Sequence, residues 1–202
     1  MLEDAGRDRR RGGAGTIRDP RSAIRSYAAI ETELGWVGVI CSARGICATT
    51  LPRPTPIDAV DRLPLAAADQ EASVETVGAL AEQIDAIIRD EPATLALPLD
   101  LASGTPFQQA VWRAVLTIPA GETRSYGWVA AEIGCPRGAH AVGQAISRNP
   151  LPLLVPCHRV VAADGSLGGY GAGVESLPTK RSLLRREGVH YDGPTLEMIR
   201  AT

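Results

Sequence analysis

No stretch of this chain approaches the roughly 20 consecutive apolar residues that a membrane-spanning helix needs, so neither a span nor a membrane partner is expected. Basic residues gather near the start (Arg7, Arg9, Arg10, Arg11), yet no apolar segment follows them. The expectation is a chain without a secretory signal, resident in the cytoplasm. Cysteine and histidine are few and poorly spaced for a metal. The cysteines (Cys41, Cys47, Cys135, Cys157) form no CxxC pair and the histidines (His140, His158, His190) all lie in the second half, so no zinc site is expected. In the cytosol those cysteines read as reduced thiols. Net charge is nearly absent too, at −2, which argues against a nonspecific coat for nucleic acid. Its distribution is uneven. Residues 1–100 carry 11 basic and 16 acidic side chains, a net of −5, whereas residues 101–202 carry 10 and 7, a net of +3. Contact with phosphate therefore belongs to the second half.

What is present suits a globular protein. The 202 residues are 45% hydrophobic, enough for one large domain or two small ones, and no repeat interrupts them. Residues 1–25, rich in Arg, Gly and Asp, read as a disordered tail. Two apolar stretches, Trp36 to Cys41 and Ile46 to Leu51, are broken by Ala43-Arg44-Gly45, a hairpin signal. Pro52, Pro54, Pro56 and Pro64 make residues 52–64 a loop or broken connection. Val77, Leu80, Ala81, Ile84, Ile87 and Ile88 fall on one helical face that Pro92 closes. Thr105-Pro106-Phe107-Gln108 carries an N-cap, a first-turn proline and a capping-box glutamine, and its helix buries Phe107, Val111 and Val115. Helices over Tyr126 to Ile133 and Ala139 to Ser147, joined by Gly134-Cys135-Pro136-Arg137-Gly138, outline a helix-turn-helix. Leu151 to Val155, between Pro150 and Pro156, reads as buried and extended. Gly165 to Gly173 holds five glycines around Tyr170, and a last helix over Leu177 to Glu187 stops at Gly188.

Pro156-Cys157-His158-Arg159 is the most informative tetrapeptide. The proline fixes the backbone at the exit of a buried segment and so presents Cys157 at a rigid point. A thiol attacks as its thiolate, which a nearby base or positive charge favours. In an extended segment His158 points away from the sulfur, so a bridging water is the natural link. Taken alone, Cys157 also fits a buried structural thiol, and Glu187 a surface charge beside Arg185 and Arg186. The functional alternative has Glu187 accept a hydrogen bond from His158 and hold its tautomer. Asn149, Tyr126 and Tyr170 lie in segments able to converge on the same point.

From about Leu99 to Val189 the chain resembles the methylated-DNA–protein-cysteine methyltransferases, or O6-alkylguanine-DNA alkyltransferases. The matching stretches include Gly104-Thr105-Pro106-Phe107-Gln108, Ile118-Pro119-Ala120-Gly121-Glu122-Thr123, Ser125-Tyr126-Gly127 and Ala141-Val142-Gly143. Arg148-Asn149-Pro150, Pro156-Cys157-His158-Arg159-Val160, Gly168-Gly169-Tyr170-Gly171 and Leu183-Leu184-Arg185-Arg186-Glu187-Gly188 continue them in order. The hairpin from Glu31 to Leu51 is similar to the family's N-terminal domain more loosely.

The resemblance implies an α/β protein in two parts. A small ribonuclease-H-like, β-rich domain (26–98) precedes a helical domain (99–191) with a winged helix-turn-helix, and residues 192–202 form a tail. It implies that Cys157 accepts an alkyl group from O6 of guanine, or O4 of thymine, in a flipped-out nucleotide, once per molecule. His158 is implied as the base acting through water, Glu187 as its orienter, Asn149 as a brace, and Tyr126 as a proton donor toward the leaving base. Val160, Tyr170 and Gly171 are implied to form the base pocket. Ala139, His140, Ala141, Gly143 and Arg148 are implied to meet double-stranded DNA, with Ala145 on the same minor-groove helix. The implied protein is a monomer without a cofactor. Three departures stand out: His140 where the family usually has an arginine, Gly171 where a serine is common, and extra length over Glu175 to Thr179. Rival readings are a lesion binder that transfers nothing, a helix-turn-helix transcription factor, and a cysteine hydrolase with many turnovers. Such binders typically lack the acceptor cysteine, which is present here.

Overall fold

The computed structural model describes residues 25–65, 70–72, 74–88, 98–170 and 176–190. Residues 1–24 and 192–202 of the two expected tails, together with Pro92, Gly171 and Glu175, lie outside these. The chain folds as an α/β protein with a small sheet and packed helices.

The hairpin signal becomes a meander of β1 (Ser26–Thr32), β2 (Gly35–Ser42) and β3 (Gly45–Thr49), all antiparallel. Gly45, at φ +127, turns the second hairpin where a Cβ would stand 1.9 Å from the Pro98 carbonyl oxygen, so only glycine fits. A short strand β4 (Gln70–Glu71) adds parallel to β1, giving the order β3-β2-β1-β4. Alternation along β2 splits the core. Val37, Val39 and Cys41 face the main cluster with Leu80, Ile84 and Ile88 of α2 (Val74–Ile88). Ile40 turns to the other face with Cys47, Ala48 and Leu63. That second face is covered by α1 (Pro56–Asp61), which corrects the loop expected over 52–64. Pro56 sits at the first helical positions and the Thr55 hydroxyl accepts the Asp58 N–H at 3.1 Å, so this proline starts a helix rather than breaking one.

The capping box forms as expected on α3 (Pro106–Leu116), which buries Val111 and Val115 and half-buries Phe107. Trp112, also buried, donates from its indole to the Ala145 carbonyl at 2.9 Å and so ties α3 to the second helix of the expected pair. That pair is α4 (Tyr126–Glu132) and α5 (Ala139–Ser147). Leu151 to Val155 is buried but not extended. The Val155 N–H returns to the Leu151 carbonyl at 2.8 Å, with Leu153 at φ +76, so the run is a tight turn. β3 pins that turn: the Thr49 N–H donates to the Pro150 carbonyl at 2.8 Å and its hydroxyl to the Pro152 carbonyl at 2.7 Å. Cys157–Arg159 form one 3-10 turn rather than an extended segment. Then β6 (Val160–Val161) pairs parallel with β5 (Arg124–Ser125), and α6 (Leu177–Arg186) closes the domain. The helix expected from Leu177 begins there, so Leu177, Pro178 and Thr179 of the extra length noted over Glu175 to Thr179 form the first turn of α6. A single apolar cluster runs from Ile30 and Val37 through Val111 and Val142 to Leu184, so the two halves share a core. Among the described residues no helix is long and apolar enough to cross a membrane.

Candidate active site

Cys157 opens the 3-10 turn behind Pro156, and its side chain is 3% exposed. Asn149, just past the end of α5, donates from Nδ2 to the Cys157 sulfur at 3.2 Å and to the Val155 carbonyl at 3.1 Å. Its Oδ1 accepts the Leu151 N–H at 3.0 Å, so one amide grips both ends of the tight turn and the thiol it delivers. Burial pushes the Cys157 thiol above its usual range. The Asn149 hydrogen bond, the charge of Lys180 and the backbone N–H groups of the turn pull the other way without reversing it. The resting group is thus a thiol at neutral pH, and a base has to take its proton when it reacts.

A titratable side chain lies one residue on. His158 is buried, and Nε2 is 2.7 Å from Glu187 Oε1. Burial lowers the imidazole pKa, with the Glu187 hydrogen bond and charge opposing, so the ring is neutral at pH 7. With Glu187 ionised, Nε2 carries the proton and Nδ1 is left as the acceptor atom, buried and without a protein partner. Burial alone would raise Glu187, but hydrogen bonds from His158 and Arg159 outweigh it and hold the carboxyl at about 2. Arg159 grips both carboxylate oxygens, with Nε at 3.0 and 3.1 Å and Nη2 at 2.8 Å, while Nη1 donates to the Ile118 carbonyl at 2.7 Å. Arg159 ends the Pro156-Cys157-His158-Arg159 tetrapeptide, but nothing in the sequence next to it signals this part. The 3-10 turn is what swings His158 and Arg159 together onto Glu187, the C-cap of α6.

Tyr126 begins α4 and its hydroxyl donates to the Gly169 carbonyl at 3.4 Å. Gly168, at φ +63, passes so close that a Cβ would lie 2.9 Å from that hydroxyl. Tyr170 is 2% exposed, its ring edge-on to His158 at 6.4 Å, its hydroxyl buried without a protein partner. Val160 is buried and both of its backbone groups are engaged, the N–H by the Cys157 carbonyl and the carbonyl by Lys180. A cleft of about 460 Å³ opens beside this cluster, lined by Tyr126, Gly127, Ala139, His140, Gly143, Gln144, Ala162, Ala163 and Gly169. His140, Ala141 and Arg148 are exposed on α5, and Ala139 and Gly143 half-exposed. Ala145 instead faces the core. Among the described residues no cluster of His, Cys, Asp or Glu is arranged for a metal.

Residues 106–189 match the family model described as the DNA-binding domain of 6-O-methylguanine DNA methyltransferase, a span that contains every side chain of this cluster. The chain is 54% identical over 113 residues to the methylated-DNA–protein-cysteine methyltransferase of Mycobacterium leprae, covering 54% of this chain and 66% of that one. It is 44% identical over 167 residues to the bifunctional transcriptional activator/DNA repair enzyme Ada of Escherichia coli, covering 82% of this chain and 46% of Ada. Among solved structures, Mycobacterium tuberculosis OGT in complex with DNA superposes with a TM-score of 0.64 at 36% identity, and the match covers 80% of this chain and 92% of that one. The chain belongs to the methylated-DNA–protein-cysteine methyltransferase family. It spans just under two thirds of the length of the mycobacterial curated relatives it matches. Within that family frame, the fold brings together Cys157, His158, Glu187, Asn149 and Tyr170, from positions up to 38 residues apart in sequence.

Proposed function

We propose that the protein repairs DNA by moving an alkyl group from O6 of guanine to Cys157, once per molecule. The observation that carries this reading is the buried thiol held by Asn149 beside the His158–Glu187 pair, inside the segment that matches the family model. His158 Nδ1 takes the thiol proton through a water, and the sulfur attacks the alkyl carbon. The S–C bond forms as the C–O6 bond breaks, and the electron pair stays on the base. Tyr126 gives a proton toward the departing guanine so that it leaves neutral. Once Tyr126 is reprotonated from His158, the net change is one thiol proton moved to guanine and one alkyl group moved to sulfur. The buried Nδ1 and the Tyr170 hydroxyl are polar groups such a water bonds. The alkyl carbon is already activated by its bond to an aromatic oxygen, so no cofactor enters. The thioether has no ready way back, which makes the reaction single-turnover. O4 of thymine is a further substrate of the same geometry.

Reaching O6 requires the nucleotide to leave the duplex. α5 enters the minor groove with Ala139, Ala141 and Gly143 toward the backbone, His140 takes the place of the departed base, and Arg148 meets phosphate. Its exposed edge, and the cleft between α5 and Gly169 that leads past Tyr126, support this placement. Val160, Tyr170 and Gly171 line the base pocket. The parts are a ribonuclease-H-like sheet domain over 26–98 and a winged helix-turn-helix domain over 99–191, flanked by tails at 1–25 and 192–202. The meander with one parallel strand and the α4–α5 pair support that division. The protein acts as a cytoplasmic monomer on double-stranded DNA. Cys157→Ser tests the assignment: transfer is abolished while DNA binding survives, whereas transfer persisting in this variant overturns it.

A further inference from the structure

The chain has twenty arginines and one lysine. That lysine, Lys180 on α6, is 0% exposed. Surface positive charge is thus left to arginine, and the single amine sits where an ammonium is least at home. Its Nζ donates to three backbone carbonyls, Val160 at 2.6 Å, Leu167 at 2.5 Å and Gly169 at 3.3 Å, one for each proton it carries. Among the described residues no carboxylate pairs with it, so carbonyl dipoles solvate the charge without neutralising it.

Each acceptor belongs to the site. Val160 starts the strand that leaves Cys157, and Leu167 and Gly169 flank the glycine turn against which Tyr126 rests. The Gly169 carbonyl accepts both the ammonium and the Tyr126 hydroxyl, so the two share one oxygen. Nζ also lies 6.0 Å from the centre of the Tyr170 ring. We propose that Lys180 is a positioning residue for alkyl transfer, its ammonium tying the glycine-rich segment and β6 together around Tyr126 and lending its positive charge to the thiolate as it forms. This rests on Cys157 being the acceptor.

The residue type follows from the cage. A guanidinium is a flat fork and does not converge on three carbonyls as a point donor does, and a neutral side chain leaves buried acceptors without a donor. Lys180 and Cys157 each favour the charged form of the other. Burial lowers the amine to about 8, so it is charged at neutral pH. The other titratable groups that face this cluster are His158 and Tyr170, with Tyr126 reached through Gly169. The resting thiol is neutral, so this field acts only as the sulfur ionises, and a thioether, which cannot ionise, abolishes it.

A chain with one lysine permits a direct test. Protein labelled with 13C and 15N in lysine gives a single side-chain signal, followed against pH before and after Cys157 is capped with iodoacetamide, with the capped site mapped by peptide mass. We expect the uncapped lysine signal to show an upper titration step as Cys157 ionises, and the capped protein, whose sulfur cannot ionise, to show a single step. In a folded Lys180→Met protein, the pH midpoint for Cys157 capping rises and transfer from free O6-benzylguanine slows at least about tenfold. A lysine signal that titrates identically before and after capping overturns the proposal. So does a folded Lys180→Met protein with the wild-type midpoint and rate. Should that variant not fold, the labelled wild-type protein decides alone. Capping needs no alkylguanine, so failure of the alkyl-transfer reading shows separately, as a wild-type protein that takes no benzyl group.

Discussion

Glu187 accepts His158 Nε2 at 2.7 Å while Arg159 holds both of its oxygens from the side. The carboxylate stands at the C-cap of α6, an end where the helix dipole disfavours negative charge by ~0.3–1 kcal/mol. Arg159 and His158 more than offset that, and the result is an imidazole locked in one tautomer with Nδ1 free to accept a proton. The thiol is not held as a thiolate in advance. It is buried and its pKa is raised, so it rests protonated, and in the proposed reaction this pair takes its proton.

Glu187→Gln keeps the shape but removes the charge that favours a protonated His158. Transfer should slow, by up to the ~10²–10⁴-fold that a positioned general base contributes. The pH at which Cys157 reacts with a small electrophile should rise. An unchanged pH profile means Glu187 does not act through His158.

The same carboxylate sets an acid limit on stability. Its folded pKa, about 2, lies below the ordinary value of 4.5. Its contribution is therefore complete above about pH 4.5 and is lost as pH falls through 2. Urea midpoints measured from pH 6 down to 3 should fall more steeply for the wild type than for Glu187→Gln. Parallel curves contradict this origin of the acid sensitivity.

Thr49 couples the sheet to the thiol turn from 103 residues away, through its hydroxyl on the Pro152 carbonyl. Thr49→Val removes that hydrogen bond at nearly constant shape, leaves the buried carbonyl short of a donor, and should cost about 1–3 kcal/mol in urea unfolding. Because the turn also seats Asn149, capping of Cys157 should slow as well. Destabilisation with an unchanged capping rate would show that Asn149 keeps its place without β3.

His140 is exposed on α5 and lines the cleft. The proposed wedge role confines its effect to duplex DNA. His140→Ala should slow repair of duplex and His140→Arg preserve or improve it, while transfer from free O6-benzylguanine, which needs no flipping, stays near wild type. Equal slowing of both substrates by His140→Ala points to a pocket or folding effect and removes the wedge.

Local signals were legible in the sequence and long-range ones were not. The capping box at Thr105 and Gln108 and the bounds of α5 lie within a few residues of the elements they define. Cys157 and His158 stood out locally behind Pro156, whereas Asn149 and Glu187 were tied to them by the family resemblance, and the fold brings the four within hydrogen-bond reach. The turn over Leu151 to Val155 looked like a strand because its shape is set by Thr49 and Asn149 rather than by its own apolar residues. α1 hid behind prolines that were weighed as breakers, although Pro56 follows an N-cap threonine. Lys180 left no local trace, since its acceptors come from Val160, Leu167 and Gly169, 11 to 20 residues back.

Intact-mass measurement of the protein after incubation with DNA containing O6-methylguanine tests the central claim most directly. The account predicts a gain of one methyl group per molecule, mapped to Cys157 and absent in Cys157→Ser, with no further turnover. No gain in mass, or a methyl group on Cys135 or Cys41 with Cys157 unmodified, contradicts it.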